Sequence, residues 1–215
     1  MCSGSKKGVK KSGRTSNSSS SSRAANIIKI DRFQKTMKEE AAKQIKTVSE
    51  RIALLHLSYA EILTEELGEE RGKQLILKAI KQYGTHIGEA RRKEIEEKGL
   101  EPNPENFSKG ESLSIPPFGM HDKIEREGEN MRAHGCALGK LWRKYGQEEL
   151  GKLYCYVDAA KYLAFNENYV QTHTKAMTKG DDYCEFEVTP ATQEQKELFK
   201  EDEDFSKVDG YLEGD

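Results

Sequence analysis

Apolar residues recur early in the chain at Phe33, Met37, Ala41, Ile45, Val48, Ile52, Leu55, Tyr59 and Ile62, in steps of 4, 4, 4, 3, 4, 3, 4 and 3. This is the helical period, and it predicts one long amphipathic helix from about Asp31 to Leu67. Asp31 is placed to cap its start and Gly68 to stop it. Ile76, Ile80, Tyr83 and Ile87 repeat the pattern in a second helix, from about Glu69 to Lys98, which Gly99 closes. With one glycine between them, the two helices are expected to pack antiparallel. Gly72, Gly84 and Gly88 each cost the second helix about 1 kcal/mol relative to Ala. The expected return is close approach of another backbone, with a ligand wall as the alternative.

The pattern then breaks. Residues 101–119 hold Pro102, Pro104, Pro116 and Pro117, four of the five prolines, so this stretch is expected to be a crossing loop. Loops of that length in a domain are often functional. Residues 121–134 are polar, with Ile124, Met131 and Ala133 as their only aliphatic positions, and read as an irregular strand leading into His134. A short helix over 136–145, closed by Gly146, precedes another over 147–164, with Leu150, Leu153, Val157, Ala160 and Ala164 on its inner face.

Two strands follow, at about 169–177 and 183–188, joined by Lys179-Gly180-Asp181. Cys184, Phe186 and Val188 alternate with Tyr183, Glu185 and Glu187, which puts Cys184 on the apolar face. A three-residue loop would set Ala176 opposite Cys184 and Thr174 opposite Phe186. Thr172 and Thr174 would then share the buried face while His173 points away. A two-residue loop would slip the register by one and exchange those roles. The first register is favoured because it buries the less polar set. Beyond Pro190 the chain is acidic, and a terminal helix with a loose tail is expected.

The fold class is therefore α+β: a long N-terminal helix pair, then short helices and an antiparallel sheet with a C-terminal β-hairpin. Residues 1–28 are expected to be a disordered basic, Ser-rich tail, 29–190 a single domain and 191–215 an acidic tail. Composition narrows the partners. Of 215 residues 35% are hydrophobic and 33% charged, with a formal net charge of −2. That balance favours neither nucleic acid nor anionic membrane. No apolar run approaches the roughly 18 residues of a membrane span, and no apolar segment follows the N-terminal lysines as in a secretory signal. Cys2, Cys136, Cys155 and Cys184 are too few and too widely spaced for a disulfide scaffold, so reduced thiols in a cytoplasm are expected. The stripe of nine apolar positions is long for a monomer of this size and suits a homodimer through the N-terminal helices.

Candidate chemistry concentrates after residue 134. Cys155 and Asp158, three apart on a helix, share a face. An acid beside a thiol raises its pKa, so Asp158 is better placed as a base or as an anchor for a substrate amine, with Cys155 in the wall. Cys184 is open to two readings, a buried small hydrophobe or a nucleophile. His134 and Cys136 with the two later cysteines are zinc-ligand types, but none stands in a C-x2-C knuckle, and no metal or other cofactor is expected.

The run Leu150-Gly151-Lys152-Leu153-Tyr154-Cys155-Tyr156-Val157-Asp158, preceded by Cys136 and followed by Phe165-Asn166, Thr174 and Gly180-Asp181-Asp182-Tyr183-Cys184-Glu185-Phe186, resembles the L-2-amino-thiazoline-4-carboxylic acid hydrolase family. Its ending is also similar to the vinyl-4-reductase type of small-molecule-binding domain. The resemblance implies an α+β pocket domain that opens a cyclic amidine, with Asp158, Cys184 and Cys155 as catalytic candidates. Cys136, Asn166, Thr174, Asp181 and His134 are the substrate-binding candidates. Two departures bear on the substrate: Ala164-Phe165-Asn166-Glu167 stands where members often carry Gly-Phe-Asn-Pro, and Ala137 follows the first cysteine where many have proline. A non-catalytic small-molecule sensor and a metal-holding domain are the alternatives from other classes.

Overall fold

The computed structural model describes Met1 and residues 18–127, 130–201 and 205–214. By internal contacts the chain divides into residues 1–40 and 41–215. The first helix, α1, spans Ser18–Leu67 and so begins well before the expected Asp31 cap. Of the tail expected to be disordered, residues 2–17 lie outside the described residues, and 18–28 belong to α1. In residues 1–40, Ile30, Phe33 and Met37 are exposed.

Within residues 41–215, Gly68 turns α1 into α2, Glu69–Glu97. Gly68 has φ of 81°, a left-handed conformation that favours glycine. The face that α1 buries is not its apolar stripe. Ser49, Ala53, His56, Leu57 and Ala60 are buried, whereas Val48, Leu55, Tyr59 and Ile62 are 52–65% exposed. The cause is what packs there. The Trp142 indole donates to the Ala53 carbonyl at 3.1 Å, and His56 Nε2 bonds the Leu150 carbonyl at 2.9 Å. A ring that must reach the helix backbone needs small side chains in front of it, which the Ser49–Ala53–Ala60 face provides and the Ile–Leu–Tyr stripe does not.

The Pro-rich segment crosses without long regular structure and leads into β1 (Lys123–Glu127) and β2 (Asn130–His134). Helix α3 (Ala137–Tyr145) follows, closed by Gly146. A helical stretch from Glu148 passes through a 3-10 segment at Lys152–Tyr156 into α4, Val157–Phe165. Strands β3 (Tyr169–Lys175) and β4 (Tyr183–Pro190) complete an antiparallel sheet of order β1-β2-β4-β3. The irregular strand expected before His134 is thus a complete hairpin.

Helix α2 packs on α4 through its glycines. A Cβ at Gly84 would lie 2.5 Å from the Ala160 Cβ, and one at Gly88 would overlap the Lys161 carbonyl. Close backbone approach is therefore what these two residues provide. Ile76, Ile80 and Ile87 of α2 join Leu153, Val157, Ala160, Leu163 and Val170 in the main core. The expected loose tail also differs. Helix α5 (Gln193–Lys200) begins with a Thr192–Gln195 capping box. Beyond it Phe205, Val208 and Leu212 are buried in that same core.

Candidate active site

Strand register decides which side chains reach the interior. Ala133 pairs Cys184 and Met131 pairs Phe186, as alternation requires. On the other side His173 pairs Phe186 and Gln171 pairs Val188, with a bulge between His173 and Lys175. The inner face therefore carries His173, Cys184 and Phe186. Thr172 and Thr174 point the other way, which corrects the favoured register. The loop from Ala176 to Asp182 is longer than three residues and contains a 3-10 turn at Met177–Lys179 with left-handed Gly180, so loop length did not fix the pairing.

His173 is buried, and both ring nitrogens face acids. Its Nδ1 lies 2.8 Å from Asp209 Oδ2, and its Nε2 lies 3.8 Å from Asp158 Oδ2. Asp209 comes from the C-terminal segment. Its Oδ2 also accepts the His173 backbone N–H at 2.9 Å, and its Oδ1 accepts the Leu212 N–H at 3.3 Å. An ionised carboxylate only accepts, so the Nδ1 hydrogen points at Asp209 and Nε2 is the nitrogen presented to Asp158. Phe186 holds the ring from one side at 4.7 Å.

Asp158 sits in the first turn of α4, where a negative charge suits the helix N-terminus. Its Oδ1 accepts from Lys161 Nζ, one turn along, and both side chains are largely buried. His121, at the end of the Pro-rich crossing, is close enough for Asp158 to oppose the lowering of its pKa by burial. Among the described residues the buried His121 Nδ1 has no hydrogen-bond partner. His121 also lines a cavity of about 530 Å³, together with Ala42, Lys43, Lys46, Phe118 and Lys123.

The three downstream cysteines converge on this place. Cys136 and Cys155 pack around the cluster of Ala53, Leu57, Leu138 and Trp142, and Cys136 also packs with Cys184, Ala133 and Phe186. The Cys184 Sγ accepts the Met177 N–H at 3.4 Å, and the Cys136 N–H bonds the Met177 Sδ at 3.4 Å. Burial raises all three thiols, Cys184 to about 12 and Cys155 well above its ordinary range, and Asp158 raises each further. At neutral pH they are neutral thiols, poor nucleophiles until a proton is removed. Cys155 is half-buried by surface and its thiol is strongly desolvated.

The other sequence candidates lie elsewhere. His134 is on the outer sheet face, its Nε2 3.2 Å from Glu125. Thr174 is exposed there and donates to Glu185 at 2.9 Å. Asn166 ends α4, donating to the Pro102 carbonyl at 2.6 Å and accepting from the Asn168 N–H at 3.0 Å. Asp181 folds the hairpin loop, accepting the Ala176 N–H at 2.8 Å and the Tyr211 hydroxyl. Sequence reasoning missed His173, Asp209, Lys161 and His121. The Asp158–Lys161 spacing of three was a legible signal. The pairing of His173 with Asp209 across 36 residues was not.

The model of the L-2-amino-thiazoline-4-carboxylic acid hydrolase family matches residues 46–188. The chain belongs to this family. The match contains Asp158, Lys161, His121, His173 and all three converging cysteines, while Asp209 is supplied from beyond it. No curated protein and no solved structure matches the chain. Among the described residues no group of three or more His, Cys, Asp or Glu side chains is arranged to hold a metal ion, and no helix is long and apolar enough to cross a membrane.

Proposed function

We propose that the chain hydrolyses a small cyclic amidine of the 2-amino-thiazoline-4-carboxylate type to an N-carbamoyl cysteine. The carrying observation is the chain of groups Asp209–His173–Asp158–Lys161, placed against three neutral thiols, with all but Asp209 inside the family-matched region. The substrate is zwitterionic, with a basic amidine and a carboxylate. Asp158 and Lys161 present the complementary pair of charges, one turn apart on α4. Their mutual contact is exchanged for two contacts to substrate, Asp158 with the amidinium nitrogens and Lys161 with the carboxylate.

Water then attacks the carbon between nitrogen and sulfur. His173 Nε2 takes a proton from it, helped by Asp209, which fixes the ring and stabilises the imidazolium. The tetrahedral centre collapses with loss of the carbon–sulfur bond, and the proton held by His173 passes to sulfur. The water oxygen becomes the urea carbonyl, and its second proton is released by way of Asp158 to solvent, because the ring nitrogen of the amidinium already carries the proton that the urea keeps. Cys136, Cys155 and Cys184 serve as an uncharged wall that keeps bulk water out and strengthens the charge contacts. The lysine-lined cavity beside His121 offers an approach for an anionic molecule.

The product bears a free thiol that the substrate lacks. Purified protein is to be incubated with the thiazoline and assayed with a thiol reagent and by mass. New thiol in step with a product one water heavier supports the reading. Absence of turnover by a folded protein would remove it.

A further inference from the structure

We infer that Tyr211 and Asp181 are positioning residues for His173: their hydrogen bond pins the turn that carries Asp209, so that the Asp209 carboxylate meets the imidazole Nδ1. The inference rests on the reading of His173 as the base. A closed ring of contacts through three separate parts of the chain carries it. Strand β3 holds His173 and ends one residue before Ala176. The Ala176 N–H donates to Asp181 Oδ2 at 2.8 Å, and the Tyr211 hydroxyl donates to the same oxygen. Tyr211 stands in the turn Gly210–Glu213, which Asp209 caps by accepting the Leu212 N–H at 3.3 Å. Asp209 Oδ2 then returns to β3, accepting the His173 backbone N–H at 2.9 Å and its ring Nδ1–H at 2.8 Å.

Apolar burial alone does not aim that carboxylate. Val208 and Leu212, on either side of the Asp209 corner, are buried and fix how deep the segment lies. The hydrophobic effect is non-directional, so the turn could still rotate about them and swing Asp209 away from the ring. A hydrogen bond has a preferred distance and angle, and the one from Tyr211 supplies the missing direction. Lys179 Nζ, from the same hairpin loop as Asp181, lies over the Tyr211 ring at 5.5 Å and holds it from a second side. The Tyr211 hydroxyl, more than any other group, keeps the Asp181 carboxyl below its usual range, and Asp181 in return pushes Tyr211 up to about 12. Acceptor and donor therefore keep these roles throughout the neutral range. Asp181, expected from the sequence to bind substrate, acts instead two contacts away from His173.

The test reads the His173 ring proton itself, by proton NMR of the nitrogen-15-labelled full chain, with the Nδ1–H signal assigned by its absence from His173→Gln. The parent should show it far downfield and slow to exchange. Tyr211→Phe keeps the ring and its packing and removes only the hydroxyl. In that variant, and in Asp181→Ala, the signal should move upfield and exchange about tenfold faster, the factor for loss of one hydrogen bond. Asp181→Asn, whose amide oxygen can accept from both donors, should retain the signal. For the thiazoline, Tyr211→Phe should lower kcat roughly tenfold with KM nearly unchanged, as misplacement of a reacting group does. A parent without the downfield signal, or an unchanged signal in Tyr211→Phe, would overturn the proposal. Should the folded parent turn over no thiazoline, the hydrolase reading falls while the proton signal still decides this one.

Discussion

The two faces of the sheet carry nearly the same residue types and put them to different use. On the outer face His134 sits 3.2 Å from Glu125, Arg132 bonds Glu185 at 2.5 Å, and Lys175 bonds the Tyr183 hydroxyl at 3.0 Å, all at partly solvated sites. On the inner face His173 lies between Asp209 and Asp158 with no solvent to screen it. Exposed pairs contribute little because water competes for both partners. A buried histidine between two carboxylates has a fixed tautomer, a fixed direction and a strong field, which proton transfer requires. A histidine on a strand says little about chemistry until its face is known.

The contrast can be broken first at its strongest point. His173→Gln or Asp158→Asn should lower kcat for the thiazoline by roughly 10²- to 10⁴-fold, the range for loss of a general acid–base group. Asp209→Asn keeps the shape but not the charge, and should lower kcat by at least about tenfold and distort the pH–rate profile, with KM nearly unchanged. Gly88→Ala tests the platform beneath. The added methyl meets the Lys161 backbone and should cost about 1–3 kcal/mol, read as a lower denaturation midpoint. His134→Ala, on the outer face, should leave activity within about twofold and stability within about 0.5 kcal/mol. A large loss there would erase the distinction between the faces.

Stability against pH sharpens the same picture. Burial holds the Cys184 thiol up to about 12, against an ordinary value of 9.0. Between those values the unfolded chain has lost a proton that the folded chain keeps. Stability should therefore be intact below pH 9 and decline as pH rises toward 12. Burial lowers the pKa of His56 and His121 from 6.5, so the unfolded chain takes up protons that the folded chain refuses below that value. Stability should decline on the acid side as well. Urea midpoints measured from pH 5 to 10.5 check both slopes.

Periodicity made some of this legible. The helix pair, the close approach at Gly84 and Gly88, the alternation that turns Cys184 and Phe186 inward and the convergence of Cys155 with Asp158 all follow from local spacing. What was not legible depended on partners distant in sequence. Spacing alone did not say which face of α1 packs inward: Trp142 needs the small Ser49–Ala53–Ala60 face and turns the apolar stripe outward. The bulge between His173 and Lys175 inverts β3 relative to the register that a short loop predicts. Acidic composition after Pro190 hid three buried residues, Phe205, Val208 and Leu212, and with them Asp209. The two departures from the family pattern left the fold intact. Asn166 of the changed Gly-Phe-Asn-Pro motif serves the connection after α4 and does not reach the cluster around Asp158.

The central claim is that the inner-face cluster carries out hydrolysis. Its most direct test is steady-state release of free thiol from 2-amino-thiazoline-4-carboxylate by the parent chain and by His173→Gln, at matched concentrations and with both shown folded by dichroism. The account predicts turnover by the parent and a loss of at least about 10²-fold in the variant. Equal rates in the two proteins would contradict it.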